Sequence, residues 1–114
     1  FTMVFERLPA TGYGIPAAGT IASLDASAIR FPLTLRKWQH GDSFYPLGMR
    51  KRKKLSDFFT DLKFTLQQRE DTWLLCSGDA ILWIVGYRID NRYRVTSSTR
   101  AVLRITVGGI TPDE

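Results

Sequence analysis

Cysteine and histidine are almost missing from this chain of 114 residues: each occurs once, as Cys76 and His40. A single cysteine excludes an internal disulfide and any cysteine-based zinc site, and it fits a reducing compartment. In "TWLLCS" it reads as a buried strand residue that packs and does no chemistry. A single histidine leaves a histidine-based metal site or a nucleophile–histidine pair without its usual partners, so His40, beside Gly41, reads as a loop residue. No apolar run approaches the roughly 18 residues of a membrane span, and no signal-peptide pattern opens the chain. The expectation is a soluble, cytoplasmic protein with no membrane partner. Phe1 stands where a methionine would open a complete protein, and "FTMVFERL" already reads as strand. The chain is therefore expected to be a piece of a longer polypeptide.

What is present is an ordinary folding composition, 44% hydrophobic and 24% charged, on a chain long enough for one domain to bury about two thirds of its unfolded surface. The net charge of +5 is unevenly spread. Residues 30–54 hold eight cations against Asp42 alone, a local +7. Residues 55–79 hold Lys63 and Arg69 against five acids, a local −3, and residues 80–107 hold five arginines against Asp90, a local +4. Two basic segments flank an acidic one, and if they meet in space they form a positive face suited to a polyanion.

The densest cations are Arg50, Lys51, Arg52, Lys53 and Lys54, directly before "LSDFFTDLK". There Leu55, Phe58, Phe59 and Leu62 fall at i, i+3, i+4 and i+7, which predicts a helix over roughly Leu55 to Lys63. Positive charge at a helix N-terminus opposes the macrodipole, and Ser56 and Asp57 offset it only in part. Such a junction suits an external anion such as phosphate.

Around this helix the chain reads mostly as strand. "TMVFERL" alternates weakly, "PATGYGIPAAG" is a loop, and "TIASLDASAI" reads as extended. In "FPLTLRKW" Leu33 and Leu35 face one way, Arg36 and Trp38 the other. "LQQRED" suggests a second short helical turn. "TWLLCS" and "AILWIVGY" are apolar runs joined by Gly78-Asp79, a hairpin signature that also explains "CSGDA" better than a phosphate loop does. "RYRVTSSTRAVLRITV" reads as strand, turn and strand, with Ala101, Leu103, Ile105 and Val107 inward and Arg100 and Arg104 outward. Asp57 and Asp61 share a helix face, but exposed structural aspartates describe them better than an acid–base pair. Aromatics among the cations are more informative: Trp38 beside Arg36, and Tyr93 between Arg92 and Arg94. Aromatic and guanidinium planes beside phosphate-binding charge are what RNA-binding surfaces present. Tyr93 itself is expected to turn inward with Val95, leaving the arginines to meet RNA.

The ordered set Arg36 to Trp38, Gly41-Asp42, Phe44, Pro46, Gly48-Met49, Lys54 to Asp57, Trp83, and Gly86 through Arg88 to Asp90 resembles the C-terminal domain of the tRNA(Ile)-lysidine synthetase family. Those ligases join lysine to the wobble cytidine of an isoleucine tRNA using ATP. The resemblance covers about Phe31 to Ile105. It implies an α+β fold, a layered domain with a β-sandwich of unusual topology and one main helix, related to a domain of the phenylalanyl-tRNA synthetase β subunit. In this reading residues 1–30 form an N-terminal strand and loop region and residues 31–107 the family core of a single domain. The implied partners are the tRNA(Ile) acceptor stem and an N-terminal catalytic domain of the same chain, which would use ATP with Mg and lysine. That domain's Ser-Gly-Gly-x-Asp-Ser pyrophosphate loop is not in this sequence, so the fragment is expected to hold no cofactor or metal and to catalyse nothing. The family has fewer consecutive cations between Gly-Met and Lys-Leu-Ser-Asp than stand here. The candidate tRNA-binding residues are Arg36, Lys37, Trp38, Arg50, Lys51, Arg52, Lys53, Lys54, Arg88, Arg92 and Arg94. Two other classes stay open: a docking module whose basic face packs on an acidic surface of the parent chain, and an ester-hydrolysing pocket inherited from the synthetase relative.

Overall fold

Continuous apolar runs predict strands buried on both faces, and the computed structural model, which describes residues 1–109, places them there. In chain order the elements are β1 (Thr2–Pro9), β2 (Ile21–Asp25), β3 (Leu33–Lys37), β4 (Ser43–Phe44), β5 (Lys53–Lys54), α1 (Leu55–Asp61), α2 (Leu66–Asp71), β6 (Trp73–Ser77), β7 (Ala80–Ile84), β8 (Arg88–Ile89) and β9 (Ala101–Gly108). They form a sheet in the order β1-β9-β2, a second in the order β3-β6-β7-β8, and a ribbon of β4 with β5, all antiparallel.

The two larger sheets pack face to face. Ala22, Leu24, Leu103, Ile105 and Val107 of the first meet Leu75, Leu82, Trp83 and Val85 of the second sheet and its end. On the opposite face of the second sheet, Leu74, Cys76, Ile81 and Ile84 meet Phe44, Leu55, Phe58 and Phe59. The domain is thus layered sheet, sheet, helix, and "TWLLCS" is apolar throughout because β6 feeds two cores. A register shift between Leu75 and Cys76, where Leu75 opposes Trp83 and Cys76 opposes Ile81, leaves Leu82 as an extra residue. That bulge lets two consecutive side chains, Leu82 and Trp83, enter the same core.

Most local expectations hold. Gly78, at φ +56°, makes the tight turn between β6 and β7. In β9, Leu103, Ile105 and Val107 are buried, while Arg104 bonds Glu6 across the strands at 3.0 Å. The main helix buries Leu55, Phe58 and Phe59, but it stops at Asp61, so Leu62 remains exposed. "LQQRED" is a helix, entered through a capping box in which Thr65 and Gln68 bond each other's backbone.

Two segments differ from the strand reading. "TIASLDASAI" is extended only to Asp25, whose carboxylate accepts the Ser27 N–H and opens a short 3-10 turn, Ala26–Ala28. "RYRV" is not a strand, because the Asp90 carboxylate accepts the Arg92 N–H and starts a 3-10 turn over Asn91–Tyr93. A side-chain acceptor has replaced the partner that a ladder would supply. Tyr93 nevertheless packs against the core between the sheets, as expected.

Candidate nucleic-acid interface

The basic run occupies the return arm of a ribbon. Ser43 pairs with Lys54 and Phe44 with Lys53, so the last two cations lie in β5 and the first three form the exposed bend before it. Phe44 anchors the ribbon, buried edge-on against Phe58 with ring centroids 5.0 Å apart. Successive residues of a strand face opposite ways. Lys53 turns to α1 and donates to the Asp61 carboxylate, while Lys54 is the residue that precedes the helix. Lys51, Arg52, Lys53 and Lys54 line a shallow groove of about 510 Å³ shared with Asp57, Thr60 and Asp61. The expected support from the helix N-terminus is weak, because α1 has only seven residues and the Leu55 N–H already donates to the Asp42 carbonyl at 2.9 Å. Attraction for an anion at this surface comes from the side-chain charges.

A buried clamp fixes where the run begins. Asp90 is fully buried, and its carboxylate accepts from the Tyr45 N–H at 3.0 Å, the Arg92 N–H at 2.8 Å, and the Arg92 Nε and Nη2 at 3.1 and 3.0 Å. Asn91 donates its N–H to the Tyr45 carbonyl at 2.6 Å and accepts the Gly48 N–H on Oδ1 at 3.0 Å, while Leu47 donates to the Ile89 carbonyl at 3.1 Å. Residues 45–48 are thereby joined to residues 89–92, and the chain enters the cationic bend through Gly48, at φ +88°. Hydrogen bonding to Asp90 raises the pKa of Arg92 further.

The same clamp sets Arg92 beside the run. Arg52 and Arg92 both lie over the Tyr45 ring, at 5.8 and 4.5 Å from its centroid. Arg88 sits 5.5 Å from the Phe58 ring, and Arg94 donates from Nη1 to the Asn91 carbonyl at 2.7 Å. Neither Tyr45 nor Asn91 stands out in the sequence as a candidate. The signal that could have found Asn91 is the Asp-Asn pair in "RIDNRY", a polar dipeptide suited to bonding nearby backbone.

Arg36, Lys37 and Trp38 come from a different strand. They belong to the end of β3, at the opposite edge of the four-stranded sheet from β8, three strand spacings or roughly 14 Å away. Arg36 makes a two-pronged bond to Asp42, Nη1 to Oδ2 at 2.8 Å and Nη2 to Oδ1 at 2.9 Å. Its pKa is raised chiefly by that bond. Lys37 Nζ lies 3.9 Å from the Trp73 ring centroid, and Trp38 packs edge-on against Phe59 at 5.5 Å. The structure therefore brings Arg52 together with Arg92 over Tyr45, while Arg36 is tied through Asp42 to the turn whose carbonyl receives the Leu55 N–H, next to Lys54.

Cys76 is buried between β6 and the helix layer, and burial pushes its thiol up. His40 is exposed in its turn. Among the described residues no group of three or more His, Cys, Asp or Glu side chains could hold a metal ion, and no helix is long and apolar enough to cross a membrane.

Residues 33–106 match the model of the TilS substrate C-terminal domain family. The tRNA(Ile)-lysidine synthase of Parabacteroides distasonis is 52% identical over 106 residues, covering 92% of this chain and 24% of that protein. The corresponding enzyme of Bacteroides thetaiotaomicron is 42% identical over 98 residues, covering 86% and 23%. The chain thus spans about a quarter of the length of these relatives. A crystal structure of a TilS C-terminal domain superposes with a TM-score of 0.75 at 20% identity, covering 91% of this chain and 80% of that one. An N-terminal fragment of the phenylalanyl-tRNA synthetase β subunit from Pyrococcus horikoshii does so with a TM-score of 0.62 at 18% identity, covering 77% and 28%. Both structures share the layered fold.

Proposed function

Because this chain belongs to the TilS substrate C-terminal domain family, we propose that it is the part of a tRNA(Ile)-lysidine synthase that grips the tRNA acceptor stem and does no chemistry itself. The observation that carries the reading is the clamped ribbon. Arg50, Lys51 and Arg52 are exposed on a bend whose base is held by Asp90 and Asn91, with Arg92 beside Arg52 over the Tyr45 ring. An A-form stem offers a side chain mainly phosphates and 2′-hydroxyls, and is recognised by shape and charge more than by base edges. Cations held in a fixed position suit that target. Asp57 and Asp61 lie in the same groove, so the outer bend, away from those carboxylates, is the better place for a phosphate.

ATP with Mg and lysine would be handled by an N-terminal catalytic domain of the parent enzyme, which would act in the cytoplasm. Within this chain the Gly78-Asp79 turn, which could pass for a phosphate loop, is a tight hairpin with no helix after it. The test is a titration of the chain with an acceptor-stem minihelix at several salt concentrations. Replacing Lys51 and Arg52 by Ala should weaken binding and flatten the slope of log affinity against log salt by about 0.7 to 0.9 for each phosphate left without its cation. An unchanged slope would remove the run from the interface. Salt-sensitive binding to the catalytic domain without RNA would favour the docking reading instead.

A further inference from the structure

Beside the clamp lies a half-open groove of about 390 Å³, within the range of small-ligand sites. It is lined by Ile15 and its loop, by Leu47 and Ile89, by Trp83, only 1% exposed, and by Arg94; Arg88 also borders it, but its guanidinium lies over Phe58 on the helix side of the sheet. The loop wall is seated by close backbone packing. A Cβ on Gly19 would come within 2.6 Å of the Gly86 carbonyl oxygen, so a side chain there would lift the loop away. Ile15 and Leu47 are 61% and 45% exposed, large apolar surfaces at an opening to which Arg94 also contributes.

Apolar walls with an arginine at the rim fit a ligand that is flat and apolar in one part and anionic in another. A nucleotide has that form, with its base against the walls and its phosphate toward Arg94. A base inside a duplex is paired and stacked and cannot enter; an unpaired one can. Leu47 belongs to the clamped segment that leads into the cationic run, and Arg94 bonds the Asn91 carbonyl of the same clamp. Whatever the run holds is therefore delivered next to this opening. We propose that the groove takes an unpaired nucleotide next to the stem gripped by the run, an inference that rests on the stem-binding reading. The described residues lining it include no carboxylate, histidine or cysteine, so it is a binding site with no group to activate water for ester hydrolysis.

Fluorescence anisotropy with two RNA hairpins of the same stem, one blunt and one with a short single-stranded 3′ extension, tests this. The chain should bind the extended RNA on the order of tenfold more tightly, the gain expected for seating one base. The variant Ile15→Ser should lose that preference while keeping the blunt-stem affinity and its salt slope. Ala18→Trp, which fills the groove from the exposed loop, should do the same, and thermal melts establish that each variant is folded. Equal affinity of the unaltered chain for both RNAs would overturn the groove assignment and leave stem binding standing. A preference that survives in both folded variants would overturn it too, and failure to bind either RNA would remove the stem reading along with it.

Discussion

Arg36 and Asp42 read as residues of different kinds in the sequence, one for RNA and one for a turn, and they act as a single unit. The Arg36 guanidinium and the Gln39 N–H, which donates at 2.7 Å, both bind the Asp42 carboxylate and close the turn that leads into β4. Burial by itself would raise the Asp42 pKa, but these donors outweigh it and hold the carboxyl below its ordinary value. A pKa depressed by folding contributes stability that is fully present above the unfolded value and is lost as the pH falls through the folded one. The unaltered chain should therefore lose stability as the pH drops below about 4, the usual aspartate range. Asp42→Asn should be less stable near neutral pH by about 2 kcal/mol and should show a shallower acid loss. Thermal melts across that range decide it, and parallel acid slopes would show that the pair contributes nothing to folding.

At the scale of elements, the ribbon and the Asp90–Asn91 turn depend on each other, because neither β4 nor β5 is long enough to hold the bend alone. Asn91→Ala tests this without changing charge. It removes the acceptor for the Gly48 N–H, should cost about 1 kcal/mol of stability, and should weaken stem binding several-fold with an unchanged salt slope. Binding as tight as in the unaltered chain would mean that the cations need no fixed position. Elements set by local pattern were legible: α1 from Leu55, Phe58 and Phe59, the hairpin from Gly78-Asp79, and β9 from its alternation. The clamp was not, because Asp90 reads as one more surface acid unless the chain segment of Tyr45 is known to lie over it. Nor was β5, since two lysines become a strand only through pairing with Ser43 and Phe44. The cation run was visible as charge, whereas its partners Tyr45 and Asn91 came from tertiary folding.

On the scale of the whole molecule, three layers packed through two cores give a support for the cationic ribbon. The separation of Arg36 from Arg88 follows from sheet order, which periodicity alone does not determine. A domain of this kind would serve a linked catalytic domain by raising the effective concentration of tRNA and by holding it in a reactive position. The central claim is that division of labour, and single-turnover lysine transfer tests it most directly. The measurement compares the full-length Parabacteroides distasonis enzyme with a version lacking the region that matches this chain, at subsaturating whole tRNA. The account predicts a fall of orders of magnitude in the truncated enzyme. Equal rates with and without that region would contradict it.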